Sequence, residues 1–207
     1  MIAPDRPGFG RSDYHKGRTL LGWAQDVVQT ADHLGFETFG LIAASGGGPH
    51  ALACAYAIPG RLVFTAVMGS WAPVANTELA REMAPLDQFF SKLATRAPFL
   101  FSLPFSWFLL SSRYLSPDLF VKSIDSSLCD ADRQILADPK FSSFFKKDIK
   151  EAFAQGVCGP ADETVLLYQD WGFDLGDIHL PVLIIHGEED KFAPISFGEF
   201  LHACLPN

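Results

Sequence analysis

A 207-residue chain with 48% hydrophobic and 19% charged residues carries enough apolar side chain for a buried core, which excludes a disordered or fibrous class. Its 24 acidic residues outnumber the 16 basic ones and leave a formal net charge of -8, so no basic excess exists to neutralise phosphates and a nucleic-acid partner is excluded. Cys54, Cys129, Cys158 and Cys204 are widely spaced, with neither metal-ligand spacing nor the density of a disulfide scaffold, and read as thiols of a reduced, cytoplasmic protein.

The first periodic segment is Thr19 to Leu34. Leu20, Trp23, Val27, Ala31 and Leu34 recur at spacings of three and four, one helical stripe, and Gly35 follows where a left-handed cap would end the helix. Phe39 to Ala44 (FGLIAA) is a short apolar run of the kind a buried parallel strand requires. It runs straight into Ser45-Gly46-Gly47-Gly48-Pro49, and an Ala-rich helix over Pro49 to Tyr56 closes at Pro59-Gly60. Leu62 to Met68 (LVFTAVM) predicts a second buried strand and Pro181 to Ile185 (PVLII) a third. Alternating strand and helix predicts an α/β fold with a parallel sheet.

Between the second and third strands that rhythm breaks. The region from about Val74 to Gln169 is rich in Phe, Ser, Leu and Pro and shows helical patches such as Lys146 to Gln155, but no clear strand. Its most apolar stretch, Ala97 to Leu110, is shorter than the roughly 20 residues that span a bilayer, and Pro98 and Pro104 interrupt it. It reads as a hydrophobic cap or pocket wall, although an aromatic patch of this kind can also rest on a membrane surface. The chain therefore divides into a first core part (1–73), a helical cap insertion (74–172) and a second core part (173–207).

The strand-to-helix turn at Ser45 is where chemistry has a reason to want these residue types. A serine at such a reversal is held in a strained backbone conformation, and its neighbours two positions away must be small; here they are Ala43 and Gly47. The Gly46 N–H, near the positive end of the following helix, would face a developing oxyanion. An incidental serine in a glycine-rich turn is the bland alternative, and a phosphate cradle a further rival. Both nucleotide fingerprints fail, because no Lys-Ser/Thr pair follows and G-x-G-x-x-G is absent.

Three segments carry a resemblance to a known family. Ile2-Ala3-Pro4-Asp5-Arg6-Pro7-Gly8-Phe9-Gly10-Arg11-Ser12 resembles the segment after strand 4 of α/β hydrolases. Leu41 to Pro49 resembles their nucleophile elbow, and His186-Gly187-Glu188-Glu189-Asp190 their acid-bearing loop after strand 7. The three stand in the family's order, and Ala43, where the elbow usually has glycine, is one departure. The resemblance, which extends to the proline-iminopeptidase-like branch, implies an α/β-hydrolase fold: a mostly parallel sheet with helices on both faces and an inserted helical cap. It implies that Ser45 attacks a carbonyl carbon, that a histidine removes its proton, that Asp190 orients that histidine and that Gly46 binds the oxyanion. Glu188 and Glu189 are rivals beside Asp190. No cofactor and no metal are expected, and the substrate expected is a small or medium hydrophobic ester or amide.

The family's triad histidine, usually in a Gly-His pair after a further strand, has no counterpart here. His15, His33, His50, His179, His186 and His202 are poor substitutes by position. Ile2-Ala3-Pro4 looks like the tail of a fourth strand, so the chain reads as a fragment truncated at both ends, inactive by itself because Ser45 lacks a base. A non-catalytic ligand-binding protein that keeps the fold is the second reading.

Overall fold

The computed structural model describes residues 1–75, 78–101, 103–106, 124–125 and 128–207. Residues 102 and 107–110 of the apolar stretch at 97–110, and other parts of the insertion expected over 74–172, lie outside the described residues. The described chain forms two compact units, one of Met1–Gly17 with Ala84–Val165 and one of Arg18–Met83 with Leu166–Asn207.

The second unit carries the sheet. Strands β1 (Phe39–Ala44), β2 (Leu62–Met68) and β3 (Val182–Ile185) are all parallel and lie in the order β1-β2-β3. β3 begins one residue after Pro181, which has no N–H to give a ladder. Helix α1 (Leu20–His33) starts at Thr19, whose hydroxyl accepts the Gly22 N–H at 2.9 Å, and Gly35 beyond its end takes φ 76°. Helix α2 (Gly48–Ala57) packs against α1 and against β1 and β2. Every residue from Gly48 to Ala55 is buried, as a helix enclosed between a sheet and another helix must be.

Exposure alternates along β1 and β3, whereas β2 buries Leu62 and the run Thr65 to Val67. Leu41, Thr65 and Val182 stand in register on the more buried face, as do Ala43, Val67 and Ile184. Ile42, Phe64, Met68, Leu183 and Ile185 are exposed among the described residues. Phe64 lies so close over Gly40 that a Cβ there would collide with its ring.

The other unit is helical apart from its N-terminal loop. It holds α3 (Pro85–Arg96), α4 (Asp130–Ala137), α5 (Pro139–Ala152) and the start of α6 (Cys158–Tyr168). Asp138 caps α5 through the Lys140 N–H at 2.7 Å, with Pro139 at the first helical position. Phe90, Phe101 and Phe105 pack edge-on or tilted with ring centroids 5.0 to 5.5 Å apart. Residues 2–4 form no strand; the loop they open is tied to the helices instead. Gln155 Nε2 donates to the Gly10 and Ser12 carbonyls, the Tyr14 hydroxyl to Asp162, and Arg6 Nε lies 2.8 Å from the buried Glu163 carboxylate. The backbones of Gly8 and Gly159 approach so closely that neither could carry a side chain unchanged.

Helix α7 (Ile195–Cys204) follows β3 in the sheet unit and contacts it, burying Phe197 and Leu201. An α/β fold results, a parallel sheet flanked by helices.

Candidate active site

Ser45 is the only non-glycine residue with positive φ among the described residues, at 51°. Left-handed backbone costs an ordinary L-residue about 1 kcal/mol or more and persists only where the surroundings impose it. Those surroundings are visible. The Ser45 carbonyl accepts the Gly48 N–H as a 3-10 turn leads into α2, and the Trp71 N–H at 3.4 Å. Gly48 sits against Ser70, and a Cβ at 48 would collide with the Ser70 side chain. Ser70 is buried, with its hydroxyl donating to the Trp71 carbonyl. The reversal leaves Ser45 exposed at the carboxyl end of β1, ahead of a helix N-terminus. Gly46 follows within the 3-10 turn, and its N–H donates to no described residue.

Asp190 lies beyond the carboxyl end of β3, on the far side of β2 from Ser45. Its Oδ1 accepts the N–H groups of Phe192 and Ala193, both at 2.9 Å. Oδ2 points toward Gly69, where a Cβ would come within 3.0 Å of it. Gly69 itself takes φ 48° and donates its N–H to the Ile185 carbonyl at 2.9 Å. The segment Gly69-Ser70-Trp71 thus touches the serine turn at one end and the aspartate at the other. Strands two positions apart in a sheet are separated by about 10 Å. A direct hydrogen bond of about 3 Å does not close that gap, whereas an intervening imidazole spans most of it.

The immediate surroundings of the serine turn are apolar. Leu167 Cδ1 stands 3.0 Å from where a Gly46 Cβ would be, Trp71 packs edge-on against Tyr168 at 5.3 Å, and Phe197 lies against Trp71 at 5.7 Å. The histidines are placed as follows. His15, His33, His179 and His202 are exposed. His50 is buried with Nδ1 3.2 Å from the Gly46 carbonyl and its ring edge-on to Trp23. His186 Nε2 is 2.7 Å from the Ala193 carbonyl. Glu188 and Glu189 are exposed and Asp190 is half-buried. Burial pushes the Cys54 thiol in α2 up to about 12 and also raises that of Cys204, where the Asp174 charge adds to the effect. Among the described residues no group of three or more His, Cys, Asp or Glu could hold a metal ion, and no helix is long and apolar enough to cross a membrane.

The motif reading passed over Gly69, Trp71 and Leu167. The one local signal was a glycine directly after an apolar strand, which marks a turn but not what the turn touches.

Known proteins resemble this chain in sequence or in structure. The uncharacterized hydrolase YcgS of Bacillus subtilis is 24% identical over 204 residues, covering 95% of this chain and 67% of that protein. The 2-hydroxy-6-oxononadienedioate/2-hydroxy-6-oxononatrienedioate hydrolase of Cupriavidus pinatubonensis is 27% identical over 221 residues, covering 100% and 65%. The chain spans about two thirds of the length of these curated relatives. Among solved structures, Rv0554 from Mycobacterium tuberculosis matches with a TM-score of 0.61 at 17% identity over 97% of this chain and 65% of that one. The enol-lactonase from Burkholderia xenovorans LB400 matches at 0.59 and 16%, over 96% and 66%. With the parallel sheet, the left-handed serine between β1 and α2, and a match to the alpha/beta hydrolase fold family over residues 1–207, the chain belongs to the α/β-hydrolase family.

Proposed function

We propose that the protein is a serine hydrolase in which Ser45 is the nucleophile, Asp190 the acid of the triad and Gly46 an oxyanion donor. The observation that carries this reading is the left-handed φ of 51° at Ser45, imposed beside a helix N-terminus, with a carboxylate oxygen turned to the glycine after the intervening strand. In the proposed reaction the Ser45 hydroxyl attacks a carbonyl carbon as an imidazole takes its proton. The Gly46 N–H stabilises the negative charge that forms on the carbonyl oxygen. Collapse of that intermediate returns the proton to the leaving group and leaves an acyl-serine, which water hydrolyses by the same steps. Asp190, with Oδ1 held by two backbone N–H groups, has Oδ2 left to accept the imidazole N–H.

A small or medium hydrophobic ester or amide fits the apolar residues next to the turn, Leu167 and Trp71. The Cupriavidus relative, named a 2-hydroxy-6-oxononadienedioate/2-hydroxy-6-oxononatrienedioate hydrolase, supports hydrolysis of a small organic substrate. Replacing Ser45 with Ala should abolish labelling of the full-length protein by a fluorophosphonate; unchanged labelling removes the assignment.

A ligand-binding protein without turnover is the second reading, favoured by the bonds that hold Asp190 Oδ1 to the Phe192 and Ala193 N–H groups, a loop-closing role that needs no triad. Under that reading the 207-residue chain hydrolyses p-nitrophenyl acetate no faster than its Ser45→Ala variant, and a full-length protein behaves the same way.

A further inference from the structure

The loop that carries Asp190 is closed by a side chain the proposed reaction does not use. His186 is the first residue after β3, and its Nε2 lies 2.7 Å from the carbonyl oxygen of Ala193, seven residues on. A carbonyl only accepts, so Nε2 must carry the ring proton and Nδ1 is left with a lone pair. Nδ1 is buried with no hydrogen-bond partner among the described residues. The ring rests against α7 at Gly198, where a Cβ would stand 2.8 Å from Nδ1. That glycine is what allows an imidazole to occupy the space.

Ala193 is the point where the two halves of the loop meet. It is buried, its carbonyl accepts the hydrogen bond from His186 Nε2–H, and its N–H donates to Asp190 Oδ1. Pro194 follows, with no N–H to compete, and α7 begins at the next residue. One of the two N–H groups that hold the Asp190 carboxylate therefore belongs to the residue whose carbonyl His186 holds. We infer that His186 is a positioning residue: by pinning Ala193 it fixes the Asp190 carboxylate and turns Oδ2 toward Gly69. The role of Asp190 as the acid of the triad rests on the function proposed above; the pinning by His186 does not. His186 is not the base of the proposed triad, because Nε2 is committed to a carbonyl and Nδ1 is enclosed by α7.

The test uses the isotope-labelled 207-residue chain and needs no turnover. Long-range nitrogen–proton correlation should show His186 as the Nε2–H tautomer. In His186→Ala, amide exchange at Phe192 and Ala193 should speed by at least about fivefold, the change expected for a lost hydrogen bond, while core amides such as Val67 keep their protection. His186→Gln, whose side-chain N–H reaches the same carbonyl, should restore most of it. An Nδ1–H tautomer, or Phe192 and Ala193 exchange that is the same in wild type and His186→Ala, overturns the inference. If His186→Ala does not fold, the wild-type tautomer and the Gln variant decide it. Loss of the Ser45 assignment in the labelling experiment would leave these readouts untouched, so the two claims fail separately.

Discussion

The two compact units are held together by different means. The sheet unit is built from small residues in close approach: Gly40 under Phe64, Gly48 under Ser70, Gly69 beside Asp190, Gly198 beside His186. The helical unit also has close approaches, Gly8 against Gly159 and Gly10 against Asp5, but adds long side chains that reach across, Gln155 to two loop carbonyls, Tyr14 to Asp162, Arg6 to Glu163, and a cluster of phenylalanines. Long side chains bend and find new rotamers, whereas a missing Cβ allows no adjustment. The serine turn and the aspartate loop of the proposed site both belong to the sheet unit, where such backbone contacts fix placement.

The difference can be broken in order of effect. Gly48→Val drives a side chain into Ser70 within the buried stretch Gly48 to Ala55 and should cost upward of about 3 kcal/mol in urea unfolding, with part recovered by Ser70→Gly in the double variant. The Cys54 thiol, pushed up to about 12 in the folded chain against an ordinary 9.0, stays neutral where the unfolded chain ionises. Its contribution is therefore whole below pH 9 and is lost as pH rises toward 12. Wild type should lose about 2–3 kcal/mol more than Cys54→Ala between pH 8 and pH 11, read from unfolding curves at each pH. In the helical unit Arg6→Ala leaves the Glu163 carboxylate buried beside lost charge and should cost about 2 kcal/mol, less than the glycine change because neighbouring side chains can turn toward it. Smallest is a gain: Ser45→Gly relieves the left-handed strain and should stabilise by about 1 kcal/mol while removing fluorophosphonate labelling. A loss of stability at Ser45→Gly would mean that the turn is not strained.

How far the sequence could be read follows the same division. β1 and β2 were legible to the residue because an apolar run bounded by glycine, proline and polar residues has one sensible conformation in an α/β chain. The turn at Ser45 was legible because three glycines after a strand leave only a reversal. The helical unit was read less well: Lys146 to Gln155 was recognisable as helical, but α5 spans Pro139–Ala152. The periodic signal missed the start set by the Asp138 cap. At the C-terminal end α5 stops before Gln155, whose side chain is spent on the N-terminal loop.

What the amino-acid order determined alone is therefore local: strand and helix periods, the caps, and a serine that only a tight turn would place between a strand and three glycines. What only the tertiary structure decided is which distant groups meet. Gly69 and Trp71 stand between Ser45 and Asp190, Leu167 lies over Gly46, and His186 reaches Ala193. No period or motif encodes such pairs, because they arise from the register of parallel strands, and that register is set by packing across the whole sheet rather than by any residue's neighbours in the chain.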